Sequence, residues 1–204
     1  MKKRNFVSIV FALKAEAKPF IKELNLSIIE EKPVPIFGNR DTVITISGIG
    51  KVNAAIAATN LINRFKAGHL VNLGAAGSAG GNFRIGDILH IDKIFELDRP
   101  RLLSLKPTIH EPDILKGLTT ASLATRDKPA LTPRERAAAA RYADLVDMEA
   151  AAVVQACRAF GVKVYVFKVV TDTAETNKME IIKNILLTRS ALFEFFVEKI
   201  RPVL

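Results

Sequence analysis

Lys163-Val-Tyr-Val-Phe-Lys-Val-Val-Thr-Asp172-Thr-Ala-Glu175 is the stretch from which the fold can be read. From Val164 to Val170 its residues are β-branched or aromatic apart from Lys168, the pattern of a strand buried on both faces. The run stops at Thr171 and Asp172, so a carboxylate stands at the C-terminal end of a central strand. In open α/β sheets ligands settle in the crevice outside those ends, which makes Asp172 a candidate for chemistry. Asp is also a favoured N-cap, and a helix starting near Ala174 would give Asp172 that plainer role.

Working outward, Phe6 to Ala12 is a second buried strand, leading into a helix on which Phe20, Ile21 and Leu24 share a face and whose first turn is expected to contain Pro19. Glu16 then sits at a strand-to-helix corner, either as a favourable charge at a helix N-terminus or as a reacting group. Ser27 to Glu31, Val34 to Gly38 and Thr42 to Ser47 read as a small antiparallel ribbon, with a turn over residues 38–41. Gly48-Ile-Gly-Lys51 follows, and Val52, Ala55, Ile56, Thr59, Leu61, Ile62 and Phe65 outline a long helix. This is neither a dinucleotide fingerprint, which needs glycine at Asn53, nor a P-loop, which needs Ser or Thr at Val52. What remains is a tight turn feeding a helix N-terminus, open to an anion or serving packing alone.

Leu70 to Leu73 reads as a short strand opening into Gly74-Ala-Ala-Gly-Ser-Ala-Gly-Gly81, small residues that let the backbone pass close to a ligand or to another strand. Ile88 to Phe95 and Gly117 to Ala124 are further strands. Between them residues 96–116, interrupted by Pro100, Pro107 and Pro112, form an irregular excursion of the kind that often covers a site. Thr132-Pro-Arg-Glu135 is a capping box with proline at N1, starting an alanine-rich helix to Tyr142. Asp147 and Glu149 stand at another strand-to-helix junction before the helix Ala150 to Phe160, and an amphipathic helix runs from Met179 to Arg201. Strands alternating with helices give an α/β fold with a central, twisted, mixed sheet, expected as one domain over residues 1–204.

Composition narrows the function. The chain has 204 residues, 49% of them hydrophobic, enough for a real core. No apolar run reaches the length of a membrane span, and the apolar stretch after Met1 is broken at Lys14 and Glu16, so a cytoplasmic protein is expected. The net charge of +9 comes from scattered residues with short clusters at Lys2 to Arg4 and Arg134 to Arg141. With no Trp and two Tyr to stack on bases, this reads as a solvated surface and not as a nucleic-acid interface. Cys157 lies among Val153, Val154, Ala156 and Phe160 as a small buried hydrophobe. His69, His90 and His110 show no ligand spacing, so no metal site is expected, and there is no Gly-x-Ser-x-Gly elbow.

Glu16, Glu149 and Asp172 each follow a predicted strand. If those strands are neighbours, three acids meet in one crevice, where burial and mutual repulsion raise at least one pKa.

Six segments in this order carry a family resemblance: Ala12 to Glu16, Ser47 to Ala55, Asn72 to Gly77, Gly86 to Ile88, Val146 to Ala152 and Val170 to Ala174. Over nearly its whole length the chain resembles the superfamily of purine nucleoside phosphorylases and 5′-methylthioadenosine/S-adenosylhomocysteine nucleosidases. The resemblance implies a three-layer α/β/α frame and cleavage of the N-glycosidic bond of a purine nucleoside through an oxocarbenium-like transition state. Asp172 would be the general acid that protonates purine N7, and Glu16 the base that takes a proton from attacking water. Glu149 would hold the ribose hydroxyls, Met148 would pack on the sugar, and the backbone of Ala76 and Gly77 would lie beside the nucleoside. No cofactor is implied, and a homodimer or higher homo-oligomer is expected.

The chain departs from the nucleosidase pattern at Ala75, where nucleosidases carry Ser, and at Lys168, where they carry Arg. Both positions help to hold the attacking water, so the nucleophile stays open. Lys168 and the Gly48 to Lys51 turn would serve phosphate as co-substrate in a phosphorylase, and a nucleoside-binding member without turnover is the third reading. The segment between Phe95 and Arg126 is compressed, as in relatives that act on adenosyl-lipid or futalosine-like nucleosides, so the base and 5′ contacts do not carry over.

Overall fold

The computed structural model describes residues 6–100 and 106–204. The basic cluster Lys2 to Arg4 and the middle of the 96–116 excursion lie outside the described residues. In chain order the first elements are β1 (Val7–Phe11), α1 (Lys14–Glu23), β2 (Ser27–Glu30), β3 (Ile36–Gly38), β4 (Thr42–Ile46), α2 (Lys51–Phe65) and β5 (His69–Ser78). Then come β6 (Ile88–Glu96), β7 (Thr108–His110), β8 (Thr120–Thr125), α3 (Pro133–Ala140), β9 (Leu145–Asp147), α4 (Ala150–Ala159), β10 (Lys163–Asp172) and α5 (Lys178–Phe195). The last helix continues through a π-helical turn, Phe196–Ile200.

The sheet is mixed and turns back on itself around β5. Along one edge β5 pairs in parallel with β10, from His69↔Lys163 to Gly77↔Asp172. On its other side it pairs with β1 and, further along, with β9. Because β10 pairs with β6, β6 with β8, and β8 with β9, those five strands close a ring. On the other side of β1 lie β4 and the antiparallel ribbon of β3 and β2. Alternate residues of one strand point to opposite faces. Accordingly Val10, Val164 and Val166 join one apolar core with Ala54, Ala58 and Leu61 of α2 and Val153, Val154 and Cys157 of α4. Ile9, Phe11, Phe167 and Val169 join a second core with Phe20 of α1 and Leu192 of α5.

Four expectations need correction. β5 does not end at Leu73 but continues to Ser78, because the absence of bulk from Gly74 to Ser78 lets the chain pair on both sides. Pro19 lies inside α1 and not in its first turn. The carbonyl of Ala15, deprived of its helical donor by the proline ring, accepts instead from Arg189 Nη1 at 3.2 Å. The buried face of α2 is Ala54, Ala57, Ala58, Leu61 and Ile62, while Val52 is 69% and Ile56 47% exposed; small residues let α2 pack close against α4 and turn the bulky ones outward. Asp172 caps no helix, since α5 is capped by Asn177, whose side chain accepts from the N–H groups of Met179 and Glu180. Within 96–116, the strand β7 pairs with β6.

Candidate active site

A cavity of about 160 Å³ opens where β1, β5, β9 and β10 end. Glu16, Ala76, Gly77, Met148, Glu149 and Asp172 all line it, together with Asp147, Arg136 and Thr171. The strand-end reading therefore brings the three acids together. Lys168 does not line the cavity.

Each carboxylate is held by backbone geometry. Glu16, in the first turn of α1, accepts from the N–H of Leu13 at 2.8 Å and from the N–H of Ala75 at 2.9 Å. A side chain at Gly74 would crowd it, since a Cβ there would stand 3.1 Å from Glu16 Oε1. Burial pushes the pKa of Glu16 upward against those two donors. Glu149 precedes α4 but does not cap it. Asp147 does so, its Oδ2 accepting from the N–H of Ala150 at 2.9 Å. Glu149 is thereby free to reach across and accept from the N–H of Gly50 at 2.9 Å. Burial, then the charge of Asp147, pushes Glu149 up to about 7.

Lys168 is wholly buried within β10, its Nζ 2.8 Å from Asp147 Oδ2. Burial alone would lower its pKa, but Asp147, Glu149 and Glu16 together raise it, so the ammonium persists. The Gly48 to Lys51 turn is also occupied. Gly50 N–H serves Glu149, Lys51 N–H donates to Asp127 Oδ1 at 2.7 Å, and Lys51 Nζ pairs with Glu96 at 2.9 Å and Asp98 at 2.7 Å. The anions at this helix N-terminus are the chain's own carboxylates.

Arg136 is the residue that sequence reasoning missed. It lies one turn into α3, 3% exposed, and its Nη2 pairs with Asp172 Oδ2 while Nη1 donates to the Ser78 carbonyl at 2.9 Å. The other oxygen of Asp172 accepts from the Thr171 hydroxyl at 2.8 Å. The one available signal was an arginine in an alanine-rich helix directly after a capping box, on the face that Ala139 buries, where burial obliges the cation to find an acid.

Among the described residues no group of three or more His, Cys, Asp or Glu is placed to hold a metal ion, and no helix is long and apolar enough to cross a membrane. Chemically the cavity offers four carboxylates, one guanidinium and small-residue backbone, suited to a polar ligand that carries several hydroxyls and is attacked or protonated at an enclosed position.

Residues 9–200 match the phosphorylase superfamily. A 5′-methylthioadenosine/S-adenosylhomocysteine nucleosidase of Staphylococcus aureus strain JH9 is 29% identical over 163 residues, 68% of this chain and 72% of that protein. In fold the chain is similar to a futalosine hydrolase mutant of Helicobacter pylori strain 26695, with a TM-score of 0.82 and 19% identity over 96% of this chain and 100% of that one. It is likewise similar to the Helicobacter pylori 5′-methylthioadenosine/S-adenosylhomocysteine nucleosidase solved with a pyrrolidine inhibitor, with a TM-score of 0.83 and 18% identity over 98% and 100% of the two chains.

Proposed function

Because the chain belongs to the phosphorylase superfamily, we propose that it hydrolyses the N-glycosidic bond of a purine nucleoside. The observation that carries hydrolysis over phosphorolysis is that Arg136 of the cavity, Lys168 of β10 beneath it and Lys51 of the Gly48 to Lys51 turn are all already paired. Lys168 is spent on Asp147, Lys51 on Glu96 and Asp98, and Arg136 on Asp172. An arriving phosphate would face Glu16, Asp147 and Glu149 with neither ammonium free to meet it, whereas water carries no charge to repel.

In this reading Asp172 gives its proton to purine N7 as the C1′–N9 bond breaks, and the electron pair of that bond passes to the base. Water delivers its oxygen to C1′ and its proton to Glu16, whose raised proton affinity suits a general base. Glu16 then returns a proton to solvent, and Asp172 takes one up. Glu149, with Oε1 on the Gly50 amide, turns its other oxygen to the ribose hydroxyls, where its charge also favours the oxocarbenium-like sugar. Met148 packs on the sugar, and Ala76 and Gly77 border the nucleoside. Lys168 acts from beneath, through Asp147.

The two apolar cores, with α2 and α4 in one and α1 and α5 in the other, support a three-layer α/β/α frame and one domain over residues 1–204. A cytoplasmic homo-oligomer completes the reading. Val52 and Phe160, both exposed, line a groove between α2 and α4, and an apolar surface of this kind suits a second copy of the chain.

The experiment is release of free base from methylthioadenosine, adenosine and inosine, with and without phosphate, in the intact chain and in Asp172→Asn. Release independent of phosphate is expected, falling about 10²- to 10⁴-fold in Asp172→Asn. Release only with phosphate would make the protein a phosphorylase and leave Glu16 a structural residue.

A further inference from the structure

Resting on the nucleoside reading, we propose that Arg136 selects the leaving base, and that the base is a 6-oxopurine. Among the described residues lining the cavity, Arg136 is the one cation, and Arg136 and Thr171 are the side chains that can donate a hydrogen bond. Thr171 already gives its hydroxyl to Asp172. Among the side chains, an acceptor that the base presents beside Asp172 is therefore left to Arg136.

The edge of a purine fixes what that acceptor is. N7 and the C6 substituent are neighbours on one edge. A 6-oxopurine shows two acceptors there, whereas a 6-aminopurine shows one acceptor and one donor. A guanidinium has donors only, so it can meet O6 and not an amino group. If Asp172 addresses N7, the guanidinium paired with it faces the C6 substituent, accepting an oxygen there and opposing an amino group.

The hydrogen bonding of Arg136 is also incomplete. Its Nε is buried without a partner, as is Ser78 Oγ beside it, so polar capacity remains unspent around this pair.

The same arrangement links recognition to chemistry. Both oxygens of Asp172 are engaged, Oδ2 by Arg136 and Oδ1 by Thr171. When Nη2 turns from Asp172 to O6, Oδ2 is free to carry the proton for N7. A 6-amino group offers Arg136 no acceptor, so the guanidinium stays on the acid and the proton has no place. Discrimination then extends to the rate of the bound complex as well as to binding.

The test begins with equilibrium binding of hypoxanthine and adenine, by calorimetry, to the intact chain and to Arg136→Met, which removes the donors and keeps most of the bulk. Hypoxanthine is expected to bind about 10- to 100-fold more tightly, the discrimination one hydrogen bond to a charged group gives, and the preference is expected to vanish in Arg136→Met. Inosine is expected to exceed adenosine in kcat. Adenine binding as tightly as hypoxanthine, failure of both bases to bind, or cleavage of both nucleosides with equal kcat would overturn the assignment. The comparison of bases in the intact chain needs no variant, so it decides even if Arg136→Met does not fold. Where Arg136→Met does fold, by circular dichroism, survival of the preference would equally overturn the assignment. Selective binding of hypoxanthine with no nucleoside cleaved would remove the nucleosidase reading and leave the role of Arg136 standing. Cleavage of adenosine with tight adenine binding would do the reverse.

Discussion

A methyl group at position 77 would stand 2.5 Å from Asp172 Oδ2 and closer still to Arg136 Nη1. Glycine there is what allows β5 to pass against the acid and its cation. Gly77→Ala is expected to displace the pair, lowering base release about 100-fold and stability by about 1 to 3 kcal/mol, read by steady-state assay and thermal unfolding. Glu149 makes a different prediction. Unfolded, it gives up its proton near its ordinary value of 4.5, and folded at about 7. Between those values the folded chain holds more protons than the unfolded one, so this group's contribution falls as pH rises. Denaturant unfolding from pH 4.5 to 7 is expected to show a smaller loss of stability in Glu149→Gln than in the parent. Glu16, Glu149 and Asp172 were legible from sequence because each follows a strand, and strand ends converge. Arg136 was not, because its position depends on how far α3 leans over the sheet, a tertiary matter with no period in the sequence.

At the scale of elements, β9 and β10 are joined across the interior by Asp147 and Lys168, both nearly inaccessible to water. Two buried charges held by each other add little over an apolar pair, because both were desolvated, but removing one leaves the other unpaired at a large cost. Asp147→Asn is expected to lower the free energy of unfolding by about 3 to 5 kcal/mol, and the paired change Asp147→Leu with Lys168→Met by clearly less, measured in urea. Cys157, on the buried face of α4, has its thiol pushed up to about 12 by burial. It is expected to resist iodoacetamide in the native protein and to react fully once unfolded, as mass spectrometry would register. Most elements could be read from periodicity and capping, as with the Thr132 box that starts α3. The buried face of α2 could not, because its alanines gain burial by close approach to α4 while Val52 and Ile56, which score as core, point outward. β5 was cut short for a related reason: its glycines and alanines carry no strand preference, and only the neighbouring strands β10 and β9 hold them extended.

The whole molecule keeps an apolar surface beside its cavity. Ile49 is 50% exposed and lines the cavity wall, and Val52 and Ile56 continue the same side of α2 outward. If the chain assembles through this face as proposed, light scattering is expected to show an oligomer in the parent and single chains with Val52→Lys and Ile56→Lys together. An unchanged mass would remove α2 from the contact.

The ring of strands has a consequence for how the protein is made. Its first member, β5, is complete at residue 78, and the strand that pairs along most of its edge, β10, begins at residue 163. At a synthesis rate of about 5 to 20 residues per second, the nascent chain spends several seconds with that edge unpaired and its glycine-rich half unsupported. A polypeptide stopped before β10 would hold α1 to α4 yet lack the closing strand, Asp172 and α5, and its open edge would seek any other strand nearby. Closure of the ring and arrival of Asp172 at the cavity therefore come in the same step of chain growth.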